Sequence, residues 1–245
     1  MSNEIIANPV RIGRFTSSQM SRLMSNGRKA GEPGAPFHTY VQEKIWETKV
    51  GRSMDTGVGS RSTAWGECME MYLFSEVLGL KYVHKGKETS VHPTIDTWSG
   101  SPDLVEVGVK VAEVKCYEPK NFCKYADVLL NQDVALFRDE RPVEYWQLVS
   151  NAVIHGVNKA EAILFMPYRS RLPEIRQWVD KEHDTLEPWR YRFIFEGDDS
   201  ELPYVSDDSS HYTELITFEF EVPQEDIDAL TSRVQLASKL LKEAI

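Results

Sequence analysis

The stretch from Ser101 to Cys116 constrains the fold of this chain most, because it reads as a β-hairpin with charged residues gathered at one end. Ser101-Pro102-Asp103 opens an apolar run, Leu104-Val105-Glu106-Val107, and Gly108 offers a turn. Val109 to Cys116 then returns as a strand with β-branched residues at alternate positions. Side chains on a strand alternate faces, so Glu113 and Lys115 share a face and continue the row begun by Val109 and Val111. A hairpin of this length brings Glu113 back towards Asp103. Pro102 fixes the backbone just before Asp103 and holds Ser101 extended. Two hard carboxylates beside an ammonium group suit Mg²⁺ or Mn²⁺ and an activated water, as hydrolysis of a phosphodiester requires. Read alone, the same residues would also serve as a solvated strand face.

A length of 245 residues suffices for one substantial domain with a buried core, and the expectation is a single domain over 1–245. No apolar run reaches membrane-spanning length, and Met1-Ser2-Asn3-Glu4 does not open a signal peptide, so no membrane partner is expected. Cys68, Cys116 and Cys123 are odd in number and lack zinc-type pairing, which suits a reduced, cytoplasmic protein. The net charge of −10 argues at first against a polyanionic partner, but it is unevenly spread. Residues 1–50 hold seven Lys/Arg against four Asp/Glu, whereas 171–245 hold eight against eighteen. A basic amino-terminal segment can therefore meet a polyanion while the acidic last third lies away from it.

Thr16-Ser17-Ser18-Gln19 has the form of a capping box and predicts a short helix through Met24. A Gly/Pro-rich loop, 26–36, precedes a helix over 37–50, and a third helix is expected over 60–78, ended by Gly79. Strands are expected at 81–84 and around the turn at 108, a helix over 143–156, and a buried strand over 162–166. The Asp/Ser-rich stretch 197–210 reads as an exposed loop. A strand over 213–222 follows, and Pro223 then begins a last helix with acids at its positive end. Its stripe of Ile227, Leu230, Val234, Ala237, Leu241 and Ala244 reads as core, with a subunit contact as the alternative. This order suits an α/β domain with a central mixed sheet flanked by helices.

In the third helix, Glu70 falls on one side with Gly66, Leu73, Phe74 and Val77. A charge on an apolar stripe is costly unless it is paired or bound to a cation. Gly66, one turn earlier, leaves space over Glu70. At the stripe's edge, Glu70 would instead reach water.

Together, Trp65-Gly66-Glu67-Cys68-Met69-Glu70, Ser101-Pro102-Asp103 and Glu113-Val114-Lys115-Cys116 resemble the PD-(D/E)XK nucleases, and within them the lambda exonuclease (YqaJ-like alkaline exonuclease) family. Arg11-Ile12-Gly13-Arg14-Phe15-Thr16-Ser17-Ser18 resembles that family's amino-terminal segment. Phe37-His38-Thr39 and the Glu144–His155 helix with Gln147 follow in the family's order, so the resemblance runs from about residue 11 to 170. It implies a restriction-endonuclease-like core and an Mg²⁺-dependent 5′→3′ exodeoxyribonuclease, with Mn²⁺ as a substitute cofactor. Asp103 and Glu113 would bind the metal with the Val114 carbonyl, Glu70 would support the site, and Lys115 would orient or deprotonate the attacking water. Arg11, Ser18 and Ser101 match positions that hold a 5′-phosphate, and Gln147 is a further substrate-binding candidate. Read bottom-up, Ser18 would also serve as a helix cap and Arg11 as a surface cation. The implied partners are ends of double-stranded DNA, two further copies in a homotrimeric ring, and a single-strand-annealing recombinase. The readings set beside it are an endonuclease of the same core and a non-catalytic DNA-binding recombination scaffold. Two places depart from the family pattern. Val149 stands where a second glutamine is common, and Pro93 nearest an additional acid, with His92 or Asp96 as its neighbouring stand-ins.

Overall fold

The computed structural model describes residues 9–29, 31–54, 59–86, 88–182 and 188–245. In chain order the elements begin with β1 (Phe15–Thr16), α1 (Met20–Leu23), α2 (Ala35–Val50) and α3 (Arg61–Tyr72). Strands β2 (Val83–His84), β3 (Ser90–Val91), β4 (Trp98–Gly100), β5 (Leu104–Glu106) and β6 (Lys110–Lys115) come next. Then follow α4 (Pro119–Leu130), α5 (Val134–Glu140), α6 (Pro142–His155), β7 (Lys159–Phe165), α7 (Leu172–Lys181), α8 (Pro188–Glu196), β8 (Leu215–Glu221) and α9 (Gln224–Glu243).

The 101–116 hairpin forms the heart of a five-stranded mixed sheet ordered β2-β5-β6-β7-β8. Gly108 turns at φ +72°, a left-handed conformation that glycine adopts without a Cβ penalty. The antiparallel register then sets Leu104 opposite Ala112. β6 and β7 run parallel, joined through α4, α5 and α6, and β8 closes the edge antiparallel to β7. Strand alternation splits the core between the two faces. Val111, Ala160, Ala162 and Leu164 pack with α2, α4, α5, α6 and α9, while Ala112, Val114, Ile163 and Phe165 pack with α3, α7 and α8. β8 is covered on one face only, so its buried residues are Ile216, Phe218 and Phe220. A second, three-stranded sheet runs β1-β4-β3, with β1 parallel to β4.

Several expectations hold. Helices form where expected over 37–50 and 143–156, ended by Gly51 and Gly156 in the left-handed region, and the helix expected from Ser60 is capped there by the Ser60 side chain, which accepts from the Thr63 amide at 3.1 Å. In the final helix Leu230, Val234, Ala237 and Leu241 are buried, whereas Ala244 is exposed.

Others need correction. The capping box does not form: Thr16 Oγ1 lies 3.3 Å from Tyr40 Oη, residues 17–19 make a 3₁₀ turn, and α1 is one turn long. Burial of Thr16 against Tyr40 takes the hydroxyl that the cap would need. The third helix stops being α-helical at Tyr72 and continues as a π-helix, Leu73–Leu78. The 197–210 stretch is a strap rather than an open loop, because Leu202 and Val205 are buried and Val205 hydrogen-bonds Pro167 and Arg169 through its backbone. Helices α4, α5, α7 and α8 were not anticipated.

At the turn end of β6, away from the charged end, Lys110 is buried to 1 % exposure. Glu161 and Glu219 both pair with its ammonium, and Tyr82 donates to Glu161 at 2.5 Å. Buried charge is tolerated there because every partner is present.

Candidate active site

The open end of the hairpin brings Asp103, Glu113 and Lys115 together. Asp103 stands just before β5, and its Oδ2 accepts the Val114 amide at 2.7 Å, which bolts it to β6. Glu113 is 1 % exposed, and Lys115 Nζ lies 3.4 Å from its Oε2. Two amides of α6 hold the Glu113 carboxylate: Gln147 donates to Oε2 and Asn151 to Oε1, each at 2.5 Å. They sit one helical turn apart and so face β6 together. Gln147, expected to touch substrate, is thus directed at Glu113.

Glu70 approaches from α3 on the other side of the sheet. Gly66 leaves the space foreseen for it: Gly66, Glu70, Lys115 and Tyr117, with Ser62 and Thr63, line a cleft of about 360 Å³. His84 on β2 reaches Glu70 Oε1 through Nε2 at 2.8 Å. On the far rim, Tyr117 donates to Glu144 at 2.7 Å, and Arg141 pairs with the same carboxylate oxygen.

The electrostatics follow from this crowding. Burial, then the neighbouring Asp103 charge, hold the Glu113 carboxyl well above the ordinary 4.5, with Lys115 opposing. Burial also raises Glu70, against the hydrogen bond from His84. Burial by itself would lower Lys115, but Glu113 and Asp103 outweigh it and hold the ammonium above 10.5. Because the folded state keeps protons on Glu113 and Glu70 that the unfolded chain releases, stability falls as pH rises above 4.5. His84 acts in the same sense, since its raised pKa contributes stability below 6.5 that is lost above its folded value. The metal-free melting temperature is therefore expected to drop as pH rises above 4.5, and Glu113→Gln to flatten that drop. A decline equally steep in the variant would show that Glu113 does not carry it.

The donor set fits Mg²⁺. Among the described residues no group of three or more His, Cys, Asp or Glu forms a ready-made cage. Mg²⁺ does not need one, since it keeps several waters and is held by one or two carboxylates plus substrate phosphates. A buried carboxylate repelled by the Asp103 charge beside it is a place where a small hard cation relieves the repulsion.

The remaining candidates lie on the amino-terminal side. β1 pairs Phe15 with Trp98 and Thr16 with Ser99, so Ser18 and Ser101 are each two residues beyond the last paired position. Ser18 Oγ lies 3.4 Å from Thr16 Oγ1, and Ser101 Oγ 3.0 Å from Thr89 Oγ1. Arg11 is exposed at the end of a 3₁₀ turn, Pro9–Arg11, whereas Arg14 is spent on the carbonyls of Asp96 and Val10. Both stand-ins for the additional acid have partners of their own. His92 stacks on Trp98 with ring centroids 4.7 Å apart, and Asp96 pairs with Lys242 on α9.

Two residues at the site escaped the sequence reading. Asn151 is marked only by its four-residue spacing from Gln147, and His84 carries no signal because its partner comes from another element.

No protein-family model matches the chain, and no curated protein matches it. Solved structures do. The alkaline exonuclease LHK-Exo from Laribacter hongkongensis superposes with a TM-score of 0.59 at 13% identity, covering 96% of this chain and 91% of that one. LHK-Exo in complex with dAMP gives 0.59 at 14%, covering 96% and 92%. A phage-related exonuclease from Haemophilus somnus gives 0.61 at 14%, covering 94% of each chain. The chain thus has the PD-(D/E)XK fold of these exonucleases along almost its full length.

Proposed function

We propose that the chain is an Mg²⁺-dependent exonuclease of the lambda exonuclease (YqaJ-like) family, degrading one strand of linear duplex DNA in the 5′→3′ direction from a 5′-phosphorylated end. The observation that carries this reading is the convergence of Asp103, Glu113 and Lys115 at the open end of the β5–β6 hairpin, beside a cleft and in an exonuclease fold. Asp103 and Glu113 would hold the metal with the Val114 carbonyl. When bound, Mg²⁺ polarises the phosphoryl oxygen and makes a coordinated water more acidic. The chain's own groups do the rest. Asn151 and Gln147 fix the Glu113 carboxylate in one orientation. The Lys115 ammonium lies where negative charge develops on the phosphate and orients the attacking water. In the metal-free protein the Glu113 and Asp103 charges hold Lys115 above its ordinary pKa, as a cation.

For the DNA end, Arg11 supplies a guanidinium and Ser18 and Ser101 hydroxyls. Ser101 lies two residues from Asp103, so a phosphate held there lies close to the metal. Three such chains in a ring would confine positive potential to the channel and tolerate a net charge of −10. A role in phage-type homologous recombination, beside a single-strand-annealing recombinase, belongs to the same reading. Among the described residues no helix is long and apolar enough to cross a membrane, and all three cysteines are free.

The test is digestion of linear duplex with and without a 5′-phosphate, beside closed circles, in Mg²⁺. Loss of the phosphorylated strand from linear DNA alone, abolished in Asp103→Ala, is expected. Equal cutting of circles would point to an endonuclease of the same core. A wild type that neither cleaves DNA nor binds Mg²⁺ or Mn²⁺ by calorimetry would leave a binding scaffold. Light scattering in solution checks the ring, with three times the 28.1 kDa chain mass expected.

A further inference from the structure

The geometry points to His84 as a positioning residue for the nuclease site, one that aims Glu70 at the cleft and ties it to Asp103. The inference rests on the proposed nuclease function. β2 is the edge strand of the five-stranded sheet, and it pairs His84 with Leu104, the residue after Asp103. From there the imidazole crosses to α3, and Nε2 meets Glu70 Oε1 at 2.8 Å.

The ring has two close neighbours. Phe74, one turn after Glu70, stacks on it with centroids 5.1 Å apart and planes 28° from parallel. Gly86, at φ +47°, comes so near that a Cβ there would fall 2.9 Å from the imidazole Cε1. Glycine at 86 thus satisfies both the left-handed backbone and the close approach of the ring. The same short segment reaches the second acid through its backbone, since the amides of Lys85 and Gly86 donate to the Asp103 carbonyl at 2.9 and 3.4 Å. One turn therefore holds Glu70 by a side chain and Asp103 by its main chain. That couples α3 to the hairpin across a cleft which neither spans alone.

A half-buried carboxylate facing other carboxylates would otherwise turn away or keep a proton. A fixed imidazole donor holds the carboxylate in one orientation and works against the proton that burial favours. His84 touches no reacting atom in this arrangement, and its effect is exerted through Glu70.

The test compares wild type, His84→Ala, His84→Gln, Glu70→Ala and the double alanine variant. Two readouts are used: steady-state digestion of linear duplex, and imidazole NMR of His84 in the metal-free protein. In wild type the NMR is expected to show a slowly exchanging Nε2–H whose resonance shifts in Glu70→Ala. His84→Ala is expected to lower kcat about 10-fold with KM for DNA within about 2-fold, by the usual cost of a lost orienting group. His84→Gln should restore much of the loss, because its amide can donate to Glu70. The double variant should be no slower than Glu70→Ala, as expected of residues acting as one unit. Unchanged kcat in His84→Ala, or additive losses in the double variant, would overturn the inference while leaving the nuclease reading intact. A wild type inactive on all DNA overturns that reading and this role with it, whatever the NMR shows of the contact.

Discussion

Replacing Lys115 by alanine is expected to lower kcat for DNA hydrolysis roughly 10³-fold while the fold and DNA affinity stay close to wild type, as when a charge stabiliser is removed from a preorganised site. The side chain ends the row Val111–Glu113–Lys115 at the point where β6 leaves the sheet. There it contributes to no apolar cluster, so its removal opens no cavity in the core. Its ammonium faces Glu113 at 3.4 Å and borders the cleft. On the proposed function, what the variant loses is positive charge aimed at the reacting phosphate. Two controls separate this from a general disturbance. Lys115→Arg should recover little, because a planar guanidinium is wider and presents a fork where a compact ammonium was. Circular dichroism and gel-shift binding of duplex should be close to wild type, so a variant that loses DNA binding in step with kcat would assign Lys115 to substrate binding instead. Retention of more than about a tenth of wild-type kcat would exclude the charge-stabilising role.

The central hairpin was legible because its information is local. Gly108 marks the turn, alternation sets the faces, and Asp103 meets Glu113 by strand length alone. Gly66 beneath Glu70 was readable for a similar reason, since three- and four-residue spacings define a helix face. Contacts made between elements distant in sequence were not legible. His84 reaches Glu70 across 14 residues and a change of element, and Asn151 reaches Glu113 across 38. Asp226 shows the same limit. Its place in the first turn of α9 suggests a dipole partner, yet it is buried, with Arg138 at 3.0 Å and Tyr145 donating at 2.5 Å.

The missed helices fail for a different reason. In α4 the buried residues Phe122, Tyr125, Ala126 and Leu129 lie in a helical stripe behind Pro119, but charged and polar residues stand between them and the stripe is only three turns long. α7 carries a readable stripe as well, Leu172, Ile175 and Val179 at three- and four-residue spacing, whereas in α8 aromatic and charged residues alternate and only packing on α3 and the sheet shows which side is inward. The capping box failed by competition: a buried tyrosine hydroxyl took the threonine that local chemistry would have placed at the helix start.

The second large effect is expected at Gly100, which lies in the core and carries no chemistry. Its φ is not left-handed, so backbone freedom is not the reason for glycine there. Space is. An added Cβ would fall 2.2 Å from both Asn151 Oδ1 and Ser17 Oγ and 2.9 Å from Ile154 Cδ1. None of these can easily retreat. Ser17 is tied to Ser150 at 2.8 Å, Ser150 accepts the Trp98 indole N–H at 2.8 Å, and Asn151 is engaged with Glu113. Gly100→Ala should therefore cost about 1–3 kcal/mol as an overpacking change. That corresponds to a fall in melting temperature of roughly 3–10 °C for a domain of this size. Activity should suffer more than stability, because the easiest relief is to push α6 away from β4, and α6 carries both amides that orient Glu113. Gly108→Ala is the matched control, since no atom lies within 4 Å of its added Cβ and only the positive φ is strained. It should lose about 1 kcal/mol and keep its kcat. If Gly100→Ala melts with wild type and cleaves at the wild-type rate, the close approach of α6 to β4 is not what holds the carboxylate in place.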